Sequence, residues 1–143
     1  MLLSPLLIFL GAGLGGLLRY FLGSALQTSL GAPGASLGGT NGFPVGTLII
    51  NLTGCLCMGY LATALGSSIP IRAEYRLAIL TGLLGGYTTF SSFGLETLQL
   101  ISAGRLGAAA LYILLSNALC LFAVWFGYKF AGGSVHASAP LSH

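Results

Sequence analysis

Two stripes of neutral polar side chains run through otherwise apolar stretches of the sequence. One consists of Thr47, Asn51 and Cys55, and the other of Tyr112, Ser116 and Cys120. Residues four positions apart share one face of a helix, so each set forms a single stripe. A buried amide without a partner costs roughly 2–7 kcal/mol, so Asn51 must be hydrogen-bonded or face water. The stripes can therefore supply hydrogen-bond donors either to a neighbouring helix or to a small polar solute.

Both uses of these donors stay open from the residues alone. Asn, Ser and Thr commonly join helices inside membranes, and for Thr47 or Ser116 taken singly this is the favoured interpretation. For Asn51, joining helices and lining a pathway are equally compatible with its position. Glu96 is the one acid within a predicted crossing, apart from Glu74 at the first position of the third. We expect Glu96 to pair with a base or to reach an aqueous opening.

A glycine-opened polar segment, GGYTTFSSF at residues 85–93, interrupts a third apolar stretch. Adjacent glycines and hydroxyl side chains weaken a helix, and a broken helix in a membrane is tolerated only inside protein or beside a cavity.

Carbonyl groups freed at Gly85 and Thr88 would suit a hard monovalent cation. Phe90 and Phe93 share one face, and although such spacing usually reflects packing, their positive ring edges can face an anion. An ion site is therefore the first hypothesis.

The composition places these residues in a membrane protein. Of 143 residues, 55% are hydrophobic and 5% are charged, with a mean hydropathy of +0.95, whereas about a quarter of residues are charged in a soluble domain. The five basic residues are too sparse to form a face that binds nucleic acid. The three cysteines fit neither a zinc motif nor a disulfide framework. No grouping of nucleophile, base and orienting residue indicates an enzyme.

Four membrane crossings account for the apolar stretches, which predicts an all-α membrane protein with a broken third helix. A helix needs about 20 apolar residues to cross a bilayer. Gly11 and Gly15 in the first crossing have the small-xxx-small spacing that brings helices close together. The crossings lie in a transmembrane domain at residues 1–131, and we expect a loop at 27–43 and a disordered tail at 132–143. The predicted crossings are residues 2–26, 44–65, 74–102 and 106–130, with a tight turn at Gly104 and Arg105.

Four crossings place both chain ends on one side of the membrane. Orientation depends on the difference in Lys and Arg between the two sides. One side has Arg72, Arg76 and Lys129, and the other has Arg19 and Arg105. This difference is too small to fix one orientation, so the chain can insert both ways. Oppositely inserted copies could then form an antiparallel homodimer about a two-fold axis in the membrane plane.

Three motifs, in order along the chain, resemble the Fluc/CrcB family of fluoride channels. They are GGLLRY at residues 15–20, GTLIINLTG at 46–54 and GGYTTFSSF at 85–93. The resemblance covers all four predicted crossings, and the third motif is the most diagnostic. It implies a dual-topology homodimer in the inner or plasma membrane, with two antiparallel pores. Such a protein passively releases fluoride from the cytoplasm and selects it over chloride.

The same resemblance implies roles for individual residues. Arg19 would border an aqueous vestibule, and the carbonyls of Gly85 and Thr88 from both subunits would hold a structural sodium ion on the dimer axis. No organic cofactor is implied. Cys120 stands where some relatives have serine, and a thiol is a weaker donor. The fluoride pathway would consist of Asn51 as amide donor, Phe90 and Phe93 as aromatic edges, Tyr112 and Ser116 as hydroxyl donors, and Thr47 as a supporting hydroxyl.

Two other functions stay open. A small proton-coupled multidrug exporter can also have four helices and dual topology, but it needs an embedded carboxylate in its substrate site, and Glu96 sits poorly for that role. Proton-coupled flux that is lost in Glu96→Gln, without fluoride conductance, would favour the exporter. A non-transporting scaffold would use the broken helix only to pack subunits. Ion-impermeable liposomes that hold folded dimers would favour the scaffold.

Overall fold

The structure is a computed structural model that describes residues 3–29, 42–69 and 71–133. All regular elements in these ranges are helical, as the apolar patterning predicts. Most of the predicted loop and tail lies outside the described residues. Two π-helical segments, Ala64–Ser68 and Ala78–Leu84, respectively follow α2 and join α3 to α4. The helices are α1 (Leu3–Ser29), α2 (Val45–Thr63), α3 (Ala73–Leu77), α4 (Gly85–Tyr87), α5 (Phe90–Ser102) and α6 (Leu106–Phe130).

Three of the described helical stretches are long and apolar enough to cross a membrane. They are Leu3–Leu26, Val45–Gly66 and Leu106–Phe130. Between the last two, extended backbone at Thr88 and Thr89 separates α4 from α5. The structure is therefore that of a multi-pass membrane protein whose remaining helical stretch is divided near its middle.

Glycines bring α1 into backbone contact with the stretch that leads to this division. A Cβ atom on Gly11 would lie 2.5 Å from the Ala78 carbonyl oxygen, and one on Gly15 would overlap the Leu83 carbonyl oxygen. Gly86 approaches α1 from the other side, where an added Cβ would also meet backbone. The close packing predicted at Gly11 and Gly15 is confirmed.

A second close pair consists of α2 and α6. A Cβ atom on Gly59 would overlap the Val124 carbonyl oxygen, so the two backbones touch there. Near the first turns of the same helices, Thr47 and Tyr112 both donate to the carboxylate of Glu96. Thr47 precedes Gly59 on α2, and Tyr112 precedes Val124 on α6. The two helices therefore run parallel to each other.

The ends of α5 follow capping chemistry. Thr89 is the N-cap residue, and its Oγ1 accepts a hydrogen bond from the Ser92 backbone N–H at 3.1 Å. After α5, Gly104 adopts a positive φ of 72°, and the Arg105 N–H returns to the Leu100 carbonyl oxygen at 2.9 Å. The tight turn predicted at Gly104 and Arg105 is confirmed.

The packed centre of the chain lies between α5 and α6. Phe93, Leu100, Ala109 and Tyr112 form a buried cluster, and Tyr112 is 0% exposed. Phe43, just before α2, packs on the edge of this cluster. The cluster fixes the face of α5 that follows the break and thereby positions the residues around it.

Candidate functional site

The candidate site is a cavity of about 270 Å³ bordered by α2, the break and α6. Residues from three distant parts of the sequence meet around it. Its lining also includes Thr88 and Thr89 at the break, together with both cysteines of the polar stripes. Four of the residues predicted to lie on an ion pathway line it, namely Asn51, Phe90, Phe93 and Ser116.

Asn51 joins α2 to the break through its side-chain amide. Its Nδ2 donates to the Thr89 carbonyl oxygen at 3.0 Å, and its Oδ1 accepts from the Thr89 backbone N–H at 2.8 Å. This pairing satisfies both backbone groups of a residue that has left the helix. The amide has a second Nδ2 hydrogen. Asn51 can therefore join two elements and still keep one donor beside the cavity.

Ser116 has a buried hydroxyl without a hydrogen-bond partner. The residue is 8% exposed, and among the residues that the structure describes, nothing bonds to its Oγ atom. Most buried polar side-chain atoms have a partner, and an unsatisfied one costs about 1–3 kcal/mol. Ser116 borders the same cavity as Asn51. The site therefore contains an unused hydroxyl and a spare amide hydrogen, which together suit a small acceptor.

Phe90 and Phe93 form the aromatic wall of the cavity. Their ring centroids are 5.3 Å apart, with the planes inclined at 42°. Phe93 is buried and packs against Tyr112 at a centroid distance of 5.1 Å, whereas Phe90 is 80% exposed. Phe93 is therefore held by the core, and Phe90 lies at an uncovered edge of the described chain.

Thr47 and Tyr112 lie outside the lining of this cavity because their hydroxyls serve Glu96. Thr47 Oγ1 donates to Glu96 Oε1 at 2.6 Å, and the Tyr112 hydroxyl donates to Glu96 Oε2 at 2.7 Å. No basic side chain pairs with Glu96 in the described part of the chain. Its observed partners are two hydroxyl groups, because the core brings α2 and α6 to either side of its carboxylate. The aqueous opening stays a prediction.

The carbonyls of Gly85 and Thr88 are among those that lose their regular helical donors at the break. In a continuous α-helix they would accept from the N–H groups of Thr89 and Ser92, four residues further on. The Thr89 N–H bonds instead to Asn51, and the Ser92 N–H bonds to the Thr89 hydroxyl. Both carbonyls have therefore lost their regular helical donors. Carbonyl oxygens of this kind are ligands for hard cations.

Arg19 lies on α1, outside this arrangement. It is partly exposed on α1, and it does not line the cavity. Its predicted place beside an aqueous vestibule stays a prediction.

Thr89 is the site residue that sequence reasoning missed. Its backbone binds Asn51 and its hydroxyl caps α5. A threonine directly before a helical run is a recognisable N-cap signal. The contact with Asn51 has no such signal, because it joins residues far apart in sequence.

Comparisons with known proteins agree with the motifs. The family model described as CrcB-like protein, Camphor Resistance (CrcB), matches residues 6–128. A protein of Coxiella burnetii is 43% identical over 129 residues, which cover 87% of this chain and 94% of the relative. A protein of Thermus thermophilus is 43% identical over 130 residues, which cover 91% of this chain and 96% of the relative. Both carry the name fluoride-specific ion channel FluC.

A third relative is longer than this chain. The protein of that name from Methylococcus capsulatus is 46% identical over 125 residues, which cover 87% of this chain but 51% of the relative. The chain thus spans about half of that protein and nearly all of the other two. The family match covers the helices and the cavity described above. The chain therefore belongs to the CrcB-like family.

Proposed function

We propose that this chain is a fluoride-selective channel through which fluoride leaves the cytoplasm passively. Family membership and the names of the relatives support fluoride as the ion. The observation that carries the proposal for this chain is the buried Ser116 hydroxyl, which has no partner among the described residues and lines the same cavity as the Asn51 amide. Neutral donors can replace water around a small anion without holding it as tightly as a fixed positive charge would.

The path would run along the cavity between α2 and α6. Ser116 and Asn51 would supply hydrogen bonds, and the edges of Phe90 and Phe93 would meet the anion where its hydration shell is incomplete. Cys55 and Cys120 line the same cavity beyond this level. A larger anion such as chloride would gain less from the short donor contacts, which favours fluoride.

Thr47 and Tyr112 would extend the path by about one helical turn. Their hydroxyl hydrogens are directed to Glu96. Fluoride can therefore use these donors only by displacing the carboxylate from one of the two hydroxyls. Arg19 would border an aqueous vestibule and concentrate anions there through its positive charge.

The assembly proposed is an antiparallel homodimer of chains with four crossings each and two pores. Parallel packing of α2 and α6 supports a fourth crossing, because the chain must return across the membrane between them. The 80% exposure of Phe90 supports a second subunit that covers the open side of the cavity. The nearly even distribution of Lys and Arg supports insertion in both orientations.

A structural sodium ion would fit the freed carbonyls of Gly85 and Thr88. Gly85 and Thr88 each present an oxygen whose helical donor is bonded elsewhere. These two oxygens alone are fewer than the six or more that hard cations usually take. A two-fold axis beside the break would double the number, so we place the ion between subunits. Its part is to hold the two breaks together.

Ion efflux from liposomes tests the proposed function. Purified protein is reconstituted with internal potassium fluoride, valinomycin is added to let potassium follow, and a fluoride electrode records release beside a chloride control. We expect rapid fluoride release with negligible chloride loss. Absence of release from a folded dimer would contradict the channel. Release that requires a proton gradient and is lost in Glu96→Gln would favour the exporter instead.

A further inference from the structure

Two thiols from different helices meet at one level of the cavity. Cys55 of α2 and Cys120 of α6 are both unoxidised, and each lies four residues before the point at which Gly59 of α2 touches Val124 of α6. Both line the cavity with Ser116. The third cysteine, Cys57, is exposed and lies outside this lining.

The helix packing holds these thiols in place. One turn beyond Cys55, Gly59 lies so close to Val124 that an added Cβ would overlap its carbonyl oxygen. Backbones in direct contact leave the neighbouring turns little freedom to separate. Cys55 and Cys120 are therefore held at one level of two tightly packed helices, where both line the same cavity.

We propose that Cys55 and Cys120 form a two-thiolate binding site for a soft divalent cation that accepts linear coordination, of which mercuric ion is the probe. Thiolate sulfur selects soft metals. A divalent ion with two thiolates is electrically neutral, whereas a monovalent ion would leave a net negative charge in a medium where isolated charges are costly. Zinc is a poor occupant because its structural sites take four protein ligands. The described residues contain no group of three or more His, Cys, Asp or Glu that could supply them.

Binding proceeds by ligand exchange without oxidation or reduction. Each S–H group releases its proton to water, two sulfur–mercury bonds form, and two chloride or water ligands leave the metal. The complex has the same net charge as the two thiols that it replaces. An ion held there would stand in the cavity beside Ser116, and on the proposed function it would obstruct fluoride.

The first test measures binding and is independent of transport. Cys57→Ser protein, which keeps only the thiol pair, is titrated with mercuric chloride in detergent. Bound mercury is counted per chain, and N-ethylmaleimide then labels the thiols that remain free. We expect one mercury per chain and protection of both thiols. Two mercury ions per chain, or one thiol left open to labelling, would overturn the proposal.

Single variants separate a shared site from two independent ones. In the same background, Cys55→Ser and Cys120→Ser should each lose protection at the remaining cysteine when a monothiol competitor is present. Wild-type protein, which keeps Cys57, is the matched control. It should bind one mercury at the Cys55–Cys120 pair, as the Cys57→Ser protein does. If either single variant holds mercury against the competitor as tightly as the pair does, the two-thiolate site is wrong.

The second test rests on the proposed function and uses fluoride efflux. Mercuric chloride should reduce efflux through Cys57→Ser protein to the rate of protein-free liposomes, and dithiothreitol should restore it. The Cys55→Ser/Cys120→Ser variant should keep its own rate in mercuric chloride. Mercury bound at the pair with undiminished efflux would overturn the obstruction but leave the site. Protein without any fluoride efflux would contradict the function, while the binding result would still decide the site.

Discussion

Ser116 is buried and its hydroxyl has no partner in the described part of the chain. Removing the hydroxyl should therefore affect fluoride transport without lowering the stability of the fold. Because the hydroxyl is buried without a partner among the residues that the structure describes, Ser116→Ala should not lower the free energy of unfolding and should raise it by up to about 1–3 kcal/mol. Loss of one donor to fluoride should cost about 1.4 kcal/mol or more, which lowers efflux by roughly tenfold. Unfolding in detergent and efflux from liposomes provide the two measurements.

A serine outside the cavity provides the control for this substitution. Ser24 is on α1 and donates to the Tyr20 carbonyl oxygen at 2.8 Å. Ser24→Ala should leave fluoride efflux unchanged. Equal efflux from Ser116→Ala and wild-type protein would remove Ser116 from the path.

Substitutions at Phe90 and Phe93 should both lower fluoride efflux, but they should differ in their effect on the free energy of unfolding. Substitution by Ile keeps apolar bulk but removes the positive ring edge, so either change should lower fluoride efflux strongly. Phe93→Ile should also destabilise the protein by about 1–3 kcal/mol, because that ring packs in the core. Phe90 is 80% exposed, so Phe90→Ile should be nearly neutral in unfolding experiments. Phe126→Ile, at another exposed aromatic position, is the control, and full efflux from both cavity variants would refute the aromatic role.

The sequence could indicate which polar residues share a helix face, because that depends on residue type and spacing. It could not indicate which of them bond to one another, because that depends on how the helices pack. The polar stripe marked Asn51 and Ser116, and both line the cavity. The same logic could not distinguish Thr47 and Tyr112, whose hydroxyls are bonded to Glu96. That arrangement depends on how closely α5 lies between α2 and α6. The spacing of residues along one helix carries no information about this distance between helices.

At the scale of elements, Glu96 connects α5 to both α2 and α6. Thr47→Val and Tyr112→Phe each remove one donor from its carboxylate while keeping the shape of the side chain. Each should cost about 1–3 kcal/mol of unfolding free energy. Because the two donors share one acceptor, the double variant should depart from the sum by about 0.5–3 kcal/mol. Strictly additive values would show that the carboxylate does not couple the helices.

The contact between α2 and α6 depends on Gly59. An added Cβ there would overlap the Val124 carbonyl oxygen, so Gly59→Ala should destabilise the protein by about 1–3 kcal/mol through overpacking. Gly107 on α6 is the matched control because a Cβ there meets nothing within 4 Å. Gly107→Ala should be neutral or slightly stabilising, as alanine favours helix. Equal effects at both glycines, measured by unfolding in detergent, would contradict the close contact.

The division of the third apolar stretch was predictable in position but not in mechanism. Adjacent glycines and hydroxyl residues marked residues 85–93, and the extended backbone falls at Thr88 and Thr89 within them. The glycines themselves remain helical in α4. The break is stabilised by the Asn51 amide and the cap formed by Thr89. Those partners depend on tertiary contact, which local propensity does not describe.

At the scale of the whole molecule, two close contacts between helices explain the arrangement of the chain. Glycine contacts join α1 to the stretch before the break, and another joins α2 to α6. The sequence indicated the first through the spacing of Gly11 and Gly15. It did not indicate the second, because Gly59 has a packing partner more than 60 residues away. The cavity lies where the break meets the second pair.

Passive conduction selective for fluoride is the central claim, and a reversal potential tests it most directly. Purified protein in a planar bilayer is given a tenfold fluoride gradient with equal chloride and equal pH on both sides. A tenfold ratio corresponds to about 1.4 kcal/mol and 100 mV to about 2.3 kcal/mol per charge, so fluoride alone predicts a reversal near 60 mV. Both membrane orientations give this value. A reversal near 0 mV, or one that follows pH instead of fluoride, would contradict the account.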